Sequence, residues 1–535
     1  MKRIAGLLLC AVLALCALVG CTGANDTETG DGEKMLFTPI IFDNITACDD
    51  VVRFVAQVDY ADGTHNNEAK DIGMILSPYF TMTAGEWNVP CYAVRTSIGA
   101  HSFAMIDVAS DAVYPLEVTV QCETKGKDVT VLPTTHGVVP ETLEGGIRAS
   151  LPSAGIYTFV IGDDKTRALT VFLREYAPYT PPEGYDVVRI APGTHDEKIA
   201  FTQEKQVLYF ERGVHELKYN IDFLDNTEVY LESGAYLSAV MPDRAETPWL
   251  DPDWAGMTRW NALFQGDYVS NVRISGRGVV DLSRLDWHAR SAVRFDSSDN
   301  ITVEGITLNN SPEWTVYFTQ CEDITVEEIL LFGYRQNSDG VCMVDCRNAL
   351  TKNCFARSGD DLFEVKSMYG NCTIPIENIR FEGCQAWPDK ARGIGIIAES
   401  VRDLRDIHFV GCSVGFASAE WMDALGSVVV YLIGAATVDD ITFEDIEIYS
   451  SIKYPINVTV EDSASAVIEN VYFRNIDIRG DRAVRIADNT GTGAIRNLWF
   501  DACTRDGAAI EDEAGLLPYY TNTDGALLHI NKNTD

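Results

Sequence analysis

A short phrase recurs nine times along the second half of the chain: an Asn or Asp, an aliphatic residue, then alternating positions that lead to further apolar residues. It opens at Asn271, Asn300, Asp323, Asn348, Asn378, Asp406, Asp440, Asn470 and Asn497, with steps of 29, 23, 25, 30, 28, 34, 30 and 27 residues. A period in the twenties to thirties with period-2 alternation inside each unit predicts a solenoid of β coils. Helical repeats of that length would place apolar residues three and four apart, and these units do not. Asn226-Thr-Glu-Val-Tyr-Leu reads as an earlier unit of the same kind.

Six residues after the head of eight units stand Ile306, Ile329, Cys354, Cys384, Cys412, Ile446, Ile476 and Cys503. Equivalent residues of successive coils stack at a strand spacing of about 4.8 Å. These positions are therefore expected to form an interior ladder in which the cysteines act as small hydrophobes without bonding to one another. The Asn or Asp at each head suits a turn, where its side chain can cap neighbouring backbone groups.

Ahead of the repeat the texture changes. Between residues 38 and 177, alternating runs (Val51–Val58, Leu116–Cys122, Gly155–Ile161, Leu169–Leu173) are separated by turn clusters, which predicts an antiparallel β-sandwich. Pro178, Pro181, Pro182 and Gly184 mark a break before the solenoid, expected over residues 185–522. At the N-terminus, Lys2 and Arg3 precede an apolar run from Ile4 to Leu18, too short to span a bilayer and matching a secretory segment. The ending Leu18-Val19-Gly20-Cys21 resembles the lipobox of bacterial lipoproteins. That resemblance implies a signal peptide over residues 1–20, lipidation of Cys21, an acidic tether over residues 21–37, and a location at the bacterial cell envelope. Eleven further cysteines, an odd number spread over a large chain, argue against a disulfide framework. A formal charge of -37 repels phosphates and excludes nucleic acid as a partner. A monomer acting on a polysaccharide, held at the membrane by its lipid, is the expected assembly.

Two acidic motifs interrupt this regular background: Asn337-Ser-Asp339-Gly340 and Gly359-Asp360-Asp361, with Asp339 and Asp360 21 residues apart, close to one coil. Counted from the unit heads, Trp314, Asp339, Asp360, Asp361 and Arg392 fall at offsets of 14, 16, 12, 13 and 14, approximately one outer stripe over four successive coils. Three carboxylates in close company repel one another unless one holds a proton or a cation sits among them. Glycosidic hydrolysis needs such a set: a protonated carboxyl for the leaving oxygen, and an ionised one for water or the anomeric carbon.

At these residues the chain resembles a known clan. Asn337-Ser-Asp-Gly and Gly359-Asp-Asp-Leu-Phe-Glu-Val-Lys366 look like the Asn-Thr-Asp-Gly and Gly-Asp-Asp-Cys motifs of polygalacturonases, and Asn310-Ser-Pro-Glu-Trp314 resembles a stretch found upstream of them. Glycoside hydrolase family 49, the dextranases and isopullulanases, shares the carboxylate arrangement and adds an N-terminal β-sandwich. The resemblance implies a right-handed parallel β-helix and an inverting hydrolase without a cofactor or metal. Asp360 would be the acid and Asp339 and Asp361 the holders of water. Asn337, Lys366 and Arg392 would contact substrate, with Trp314 and Trp387 stacking on sugar faces. An inverting pair should stand roughly 6.5–9.5 Å apart.

Two departures shape the substrate expectation. Ala391-Arg392-Gly393 stands where polygalacturonases carry Gly-His-Gly, and the later coil reads Lys453-Tyr-Pro-Ile-Asn-Val458 without their Arg-x-Lys. The expectation therefore leans to an α-glucan such as dextran, with a polygalacturonase-like pectin hydrolase as the alternative. A calcium-dependent lyase using Arg392 as base, and a non-catalytic glycan-binding β-helix, are the rival classes.

Overall fold

The computed structural model describes residues 37–54, 70–176, 178–241, 261–523 and 527–531. The signal segment, Cys21 and the acidic tether up to residue 36 lie outside the described residues, and Phe37, the last residue assigned to the tether, instead opens the strand Phe37–Pro39.

From Asp186–Ile190 to Leu528–Ile530 the chain winds as a parallel β-helix. Most coils give two strands to a 24-stranded sheet and one to an 11-stranded sheet. Within Asn271–Asn497 the pairings among described residues are parallel; the antiparallel exception, Thr504–Arg505 with Ala508–Ala509, falls after it. The interior is one continuous apolar core, with stacked rings running Phe381, Phe409, Phe443, Phe473 and Phe500 at centroid separations of 4.7, 4.9, 5.3 and 4.7 Å. Each such pair adds about 0.5–1.5 kcal/mol beyond the area it buries. Cys354, Cys384, Cys412 and Cys503 are buried free thiols in that core, alongside Ile306, Ile329, Ile446 and Ile476.

The repeat heads have a sharper role than capping. All nine, and Asn226, sit in the left-handed region at φ between 48° and 58°. Asn and Asp tolerate this conformation better than other residues with a Cβ. Their amides also form a ladder: Asn271 Nδ2 donates to Asn226 Oδ1 (3.0 Å), Asn300 to Asn271 (2.6 Å), Asn348 to Asp323 (3.0 Å) and Asn378 to Asn348 (2.9 Å).

The sandwich pairs a seven-stranded sheet with a five-stranded one over a shared core. Two expectations are corrected there. Val51–Phe54 is a turn of helix, and residues 55–58 of that predicted run lie outside the described residues. The sandwich is also not wholly antiparallel, since Gly99–Val108 and Ala168–Glu175 run parallel. Gly99–Val108 is buried along its whole length, as parallel strands usually are. Ala104 and Ile106 face the sandwich core, whereas Phe103 and Met105 face a cluster shared with Phe332, Phe355 and Trp387 of the β-helix. Polar contacts fix this seam: Arg357 pairs with Asp389 (3.1 Å), Asp389 accepts from the Ser97 amide (3.1 Å), and Arg357 lies 2.9 Å from His101 Nδ1.

Candidate active site

The carboxylates stand just before strands of the 11-stranded sheet. Val316, Val341, Phe363 and Ile394 are successive partners in register across four strands. Trp314, Asp339, Asp361 and Arg392 each lie two residues before their strand's partner, so all four occupy one column. The offsets from the repeat heads differed only because the intervening turns differ in length.

Along these strands apolar residues point in and their neighbours point out. Phe363 and Val365 belong to the interior core, whereas Glu364 and Lys366 lie on the outer face beside the Asp column. Lys366 is the central cation: its Nζ is 3.0 Å from Glu364, 3.3 Å from Asp339 and 3.7 Å from Glu399, and 4.6 Å from the centre of the Trp314 ring. Burial alone would lower the Lys366 pKa, but the surrounding carboxylates outweigh it and hold the ammonium well above its usual range. Asp361 is bound on both oxygens by Arg392, through the backbone amide (2.9 Å) and Nη1 (2.9 Å). The Arg392 guanidinium is further fixed by Ala424 O (2.8 Å) and lies over the Tyr431 ring.

Asp360 differs from its neighbours. It is partly exposed and accepts from two backbone amides, Asn337 N (2.9 Å) and Asp361 N (3.1 Å), with no cation in an ion pair to it among the described residues. Removal from water, with Asp339 and Asp361 beside it, pushes its carboxyl well above the ordinary range. Asp339 is raised likewise, first by burial and then by Glu364 and Asp361, against the lowering influence of Lys366. Glu364, which was not among the residues expected from the sequence, is fully buried and raised to about 7 by burial. Its signal was present: strand alternation puts residue 364 on the same face as Lys366.

Other expected residues are placed differently. Asn337 holds Asp360 through its backbone and meets His288 Nε2 at 3.0 Å through Oδ1. Trp314 is buried, packing beneath Lys366 and edge-on to Tyr317, and so offers no open face to a sugar. Trp387 is not at the site. It belongs to the 24-stranded sheet and is buried in the seam with the sandwich, against His101 and Phe416, because its strand's outward side faces the sandwich. One oxygen from each of Asp339, Asp360 and Asp361 lies within 4.8 Å of the others: Asp339 and Asp361 are neighbours across the sheet, and Asp360 adjoins Asp361 in the chain.

This geometry bears on the rival classes. Arg392 is engaged by Asp361 and a backbone carbonyl, a poor arrangement for a free base, and the Lys366 ammonium occupies the space between Asp339 and Glu364.

A cluster of carboxylates on a parallel β-helix, two paired with cations and one without a cation partner among the described residues, defines a β-helix protein of the glycoside hydrolase type. Residues 252–492 match the family described as "Glycosyl hydrolases family 28". Exopolygalacturonase B of Aspergillus niger is 22% identical over 322 residues, 55% of this chain and 67% of that protein. Polygalacturonase QRT2 of Arabidopsis thaliana is 22% identical over 272 residues, 44% of this chain and 57% of that protein. Among solved structures, Dex49A from Penicillium minioluteum superposes with a TM-score of 0.61 at 12% identity, covering 93% of this chain and 99% of that one. The likeness to Dex49A is one of fold and takes in the sandwich as well as the β-helix.

Proposed function

We propose that this chain hydrolyses a polysaccharide in the manner of the polygalacturonase-like enzymes, with Asp360 as general acid and Asp339 and Asp361 as holders of the attacking water. The observation that carries the reading is the asymmetry of the column. Asp360 alone has exposure and no cation partner, so it is the group best suited to keep a proton and to meet a glycosidic oxygen. Lys366 favours the ionised form of Asp339, whose Oδ1 has no hydrogen-bond partner among the described residues and is free to receive a water proton. Asp339 and Asp361 are only 3% and 4% exposed, which suits contact with a small water better than direct attack on a sugar carbon and supports inversion.

The polygalacturonase-like reading rests on the family 28 match across the segment that carries the column. A neutral α-glucan, as in dextran, is the second reading. Lys366 and Arg392 are already paired with carboxylates, which leaves neither free to receive a uronate. Incubation with polygalacturonate, dextran and pullulan, following new reducing ends, separates the two. Asp360→Asn should lower the rate by about two to four orders of magnitude with little change in thermal stability. Undiminished hydrolysis, or a product of retained configuration by NMR, would refute the roles.

We also propose that the protein works at the bacterial cell envelope through a lipid on Cys21, a reading supported by Leu18-Val19-Gly20-Cys21. Radiolabelled palmitate should enter the full chain expressed in a bacterium and be absent from Cys21→Ala; equal labelling of both would end the proposal.

A further inference from the structure

Two tryptophans that the motifs did not single out flank the carboxylate column. Trp287 lies in the turn before the strand Ser291–Asp296, and Trp421 in the turn before Val428–Ile433. In the 11-stranded sheet these strands stand five coils apart, and the two coils bearing Asp339 and Asp360 lie midway between them. Five steps of about 4.8 Å set the two turns about 24 Å apart along the axis.

Both indoles are held by the backbone of the site itself. Trp287 Nε1 donates to Gln336 O (3.0 Å), one residue before Asn337, and its ring lies tilted against His288 at 3.8 Å between centroids, with His288 contacting the Asn337 side chain. Trp421 Nε1 donates to Lys390 O (2.7 Å), two residues before Arg392. The turns beneath them are fixed as well. Arg335 donates to Ser283 O and Leu285 O (2.7 and 2.8 Å), and Asn457 donates to Asp423 O and Leu425 O (2.9 Å each). Trp421 is nevertheless 69% exposed, and Trp287 is half-buried. The large aromatic face that Trp421 leaves in water is costly unless something covers it. Here its polar edge is satisfied and its orientation set in advance, which lowers the entropy lost on binding.

We propose that Trp287 and Trp421 are the two outer sugar-binding platforms of the groove, each stacking on the apolar face of a pyranose ring in a chain laid along the helix axis. The proposal deepens the hydrolase reading and rests on it for the identity of the ligand as a polysaccharide. It assigns to these residues the stacking role that Trp314 and Trp387, both buried, cannot take.

The test is electrophoresis of the full chain through gels containing dextran, pullulan or polygalacturonate, with hydrolysis followed separately on the same polymers. Wild type should be retarded by the polymer it recognises. Trp287→Ala and Trp421→Ala should each weaken that retardation about tenfold in apparent affinity, and the Phe variants should restore part of it. Trp87→Ala, which removes another exposed indole from the sandwich, should behave as wild type. Equal retardation of wild type and both Ala variants, or none with any of the three polymers, overturns the platforms. Retardation that depends on both tryptophans without hydrolysis would leave the platforms standing and overturn the hydrolase reading; hydrolysis indifferent to both would do the reverse.

Discussion

A single buried side chain, Glu364, is placed to set the pH range of the proposed chemistry. It competes with Asp339 for the Lys366 ammonium, and its negative charge raises the Asp339 pKa. Glu364→Gln removes that charge, so the acidic limb of the pH–rate profile should move to lower pH, measured as kcat/KM over a pH series. The same residue has a stability consequence. Its folded pKa of about 7 is above its ordinary value of 4.5, so between those values the folded state binds more protons than the unfolded one. The slope of stability with pH is then negative: this contribution is full below about pH 4.5 and lost as pH rises through about 7. Wild-type thermal stability should therefore fall across that window by a component that Glu364→Gln lacks, read as the difference in Tm between pH 4.5 and pH 7.5 for the two proteins. Asp339, Asp360 and Asp361 were legible as a set, because three carboxylates crowded together need a chemical reason. What each contacts was not legible, because Lys366 and Arg392 reach them only through the register of separate coils.

At the scale of the coil, the repeat head does two things at once, and substitutions can separate them. Asn348 is in the left-handed region and both donates and accepts in the amide ladder. Asn348→Ala keeps a Cβ in that conformation without the side-chain amide that lets Asn tolerate it, and breaks two hydrogen bonds, at a cost of about 2–4 kcal/mol. Asn348→Gly keeps the conformation and loses only the ladder, so its midpoint in urea should fall between wild type and the Ala variant; equal midpoints for Gly and Ala would show that the backbone conformation contributes nothing. The solenoid was readable because alternation and period repeat in nearly every unit. The stripe of site residues was readable only approximately. Counting forward from heads such as Asp323 and Asn348 crosses turns of unequal length, whereas counting back from the strand partners Val341, Phe363 and Ile394 does not.

For the whole molecule, the sandwich is part of the folding unit through a seam rich in aromatics and sealed by Arg357 and Asp389, which are 0% and 1% exposed in their side chains. Removing one partner of such a pair leaves a buried charge, so Asp389→Ala should cost about 3–5 kcal/mol in denaturant unfolding. Trp387→Ala should cost a similar amount, about 3–5 kcal/mol, by opening a cavity. If Trp387 touched substrate, its loss would instead raise KM while sparing stability. A sequence shows that Trp387 is on a strand but not what covers that strand's outer side, because that depends on how a second domain packs. The parallel pairing of Gly99–Val108 with Ala168–Glu175 was hidden for the same reason: both strands are buried almost throughout, and which strand lies beside which depends on how their neighbours pack.

The shared register of the column makes the groove a ruler with a fixed graduation. Duplicating one coil, a matter of 23 to 34 residues in this chain, between Arg392 and Trp421 would leave Asp360, its neighbours and their contacts in place. It would move the far aromatic outward by one graduation, about 4.8 Å. On the proposed reading, the preferred length of polymer would then drift by gene-level duplication of single coils, independently of the bond broken.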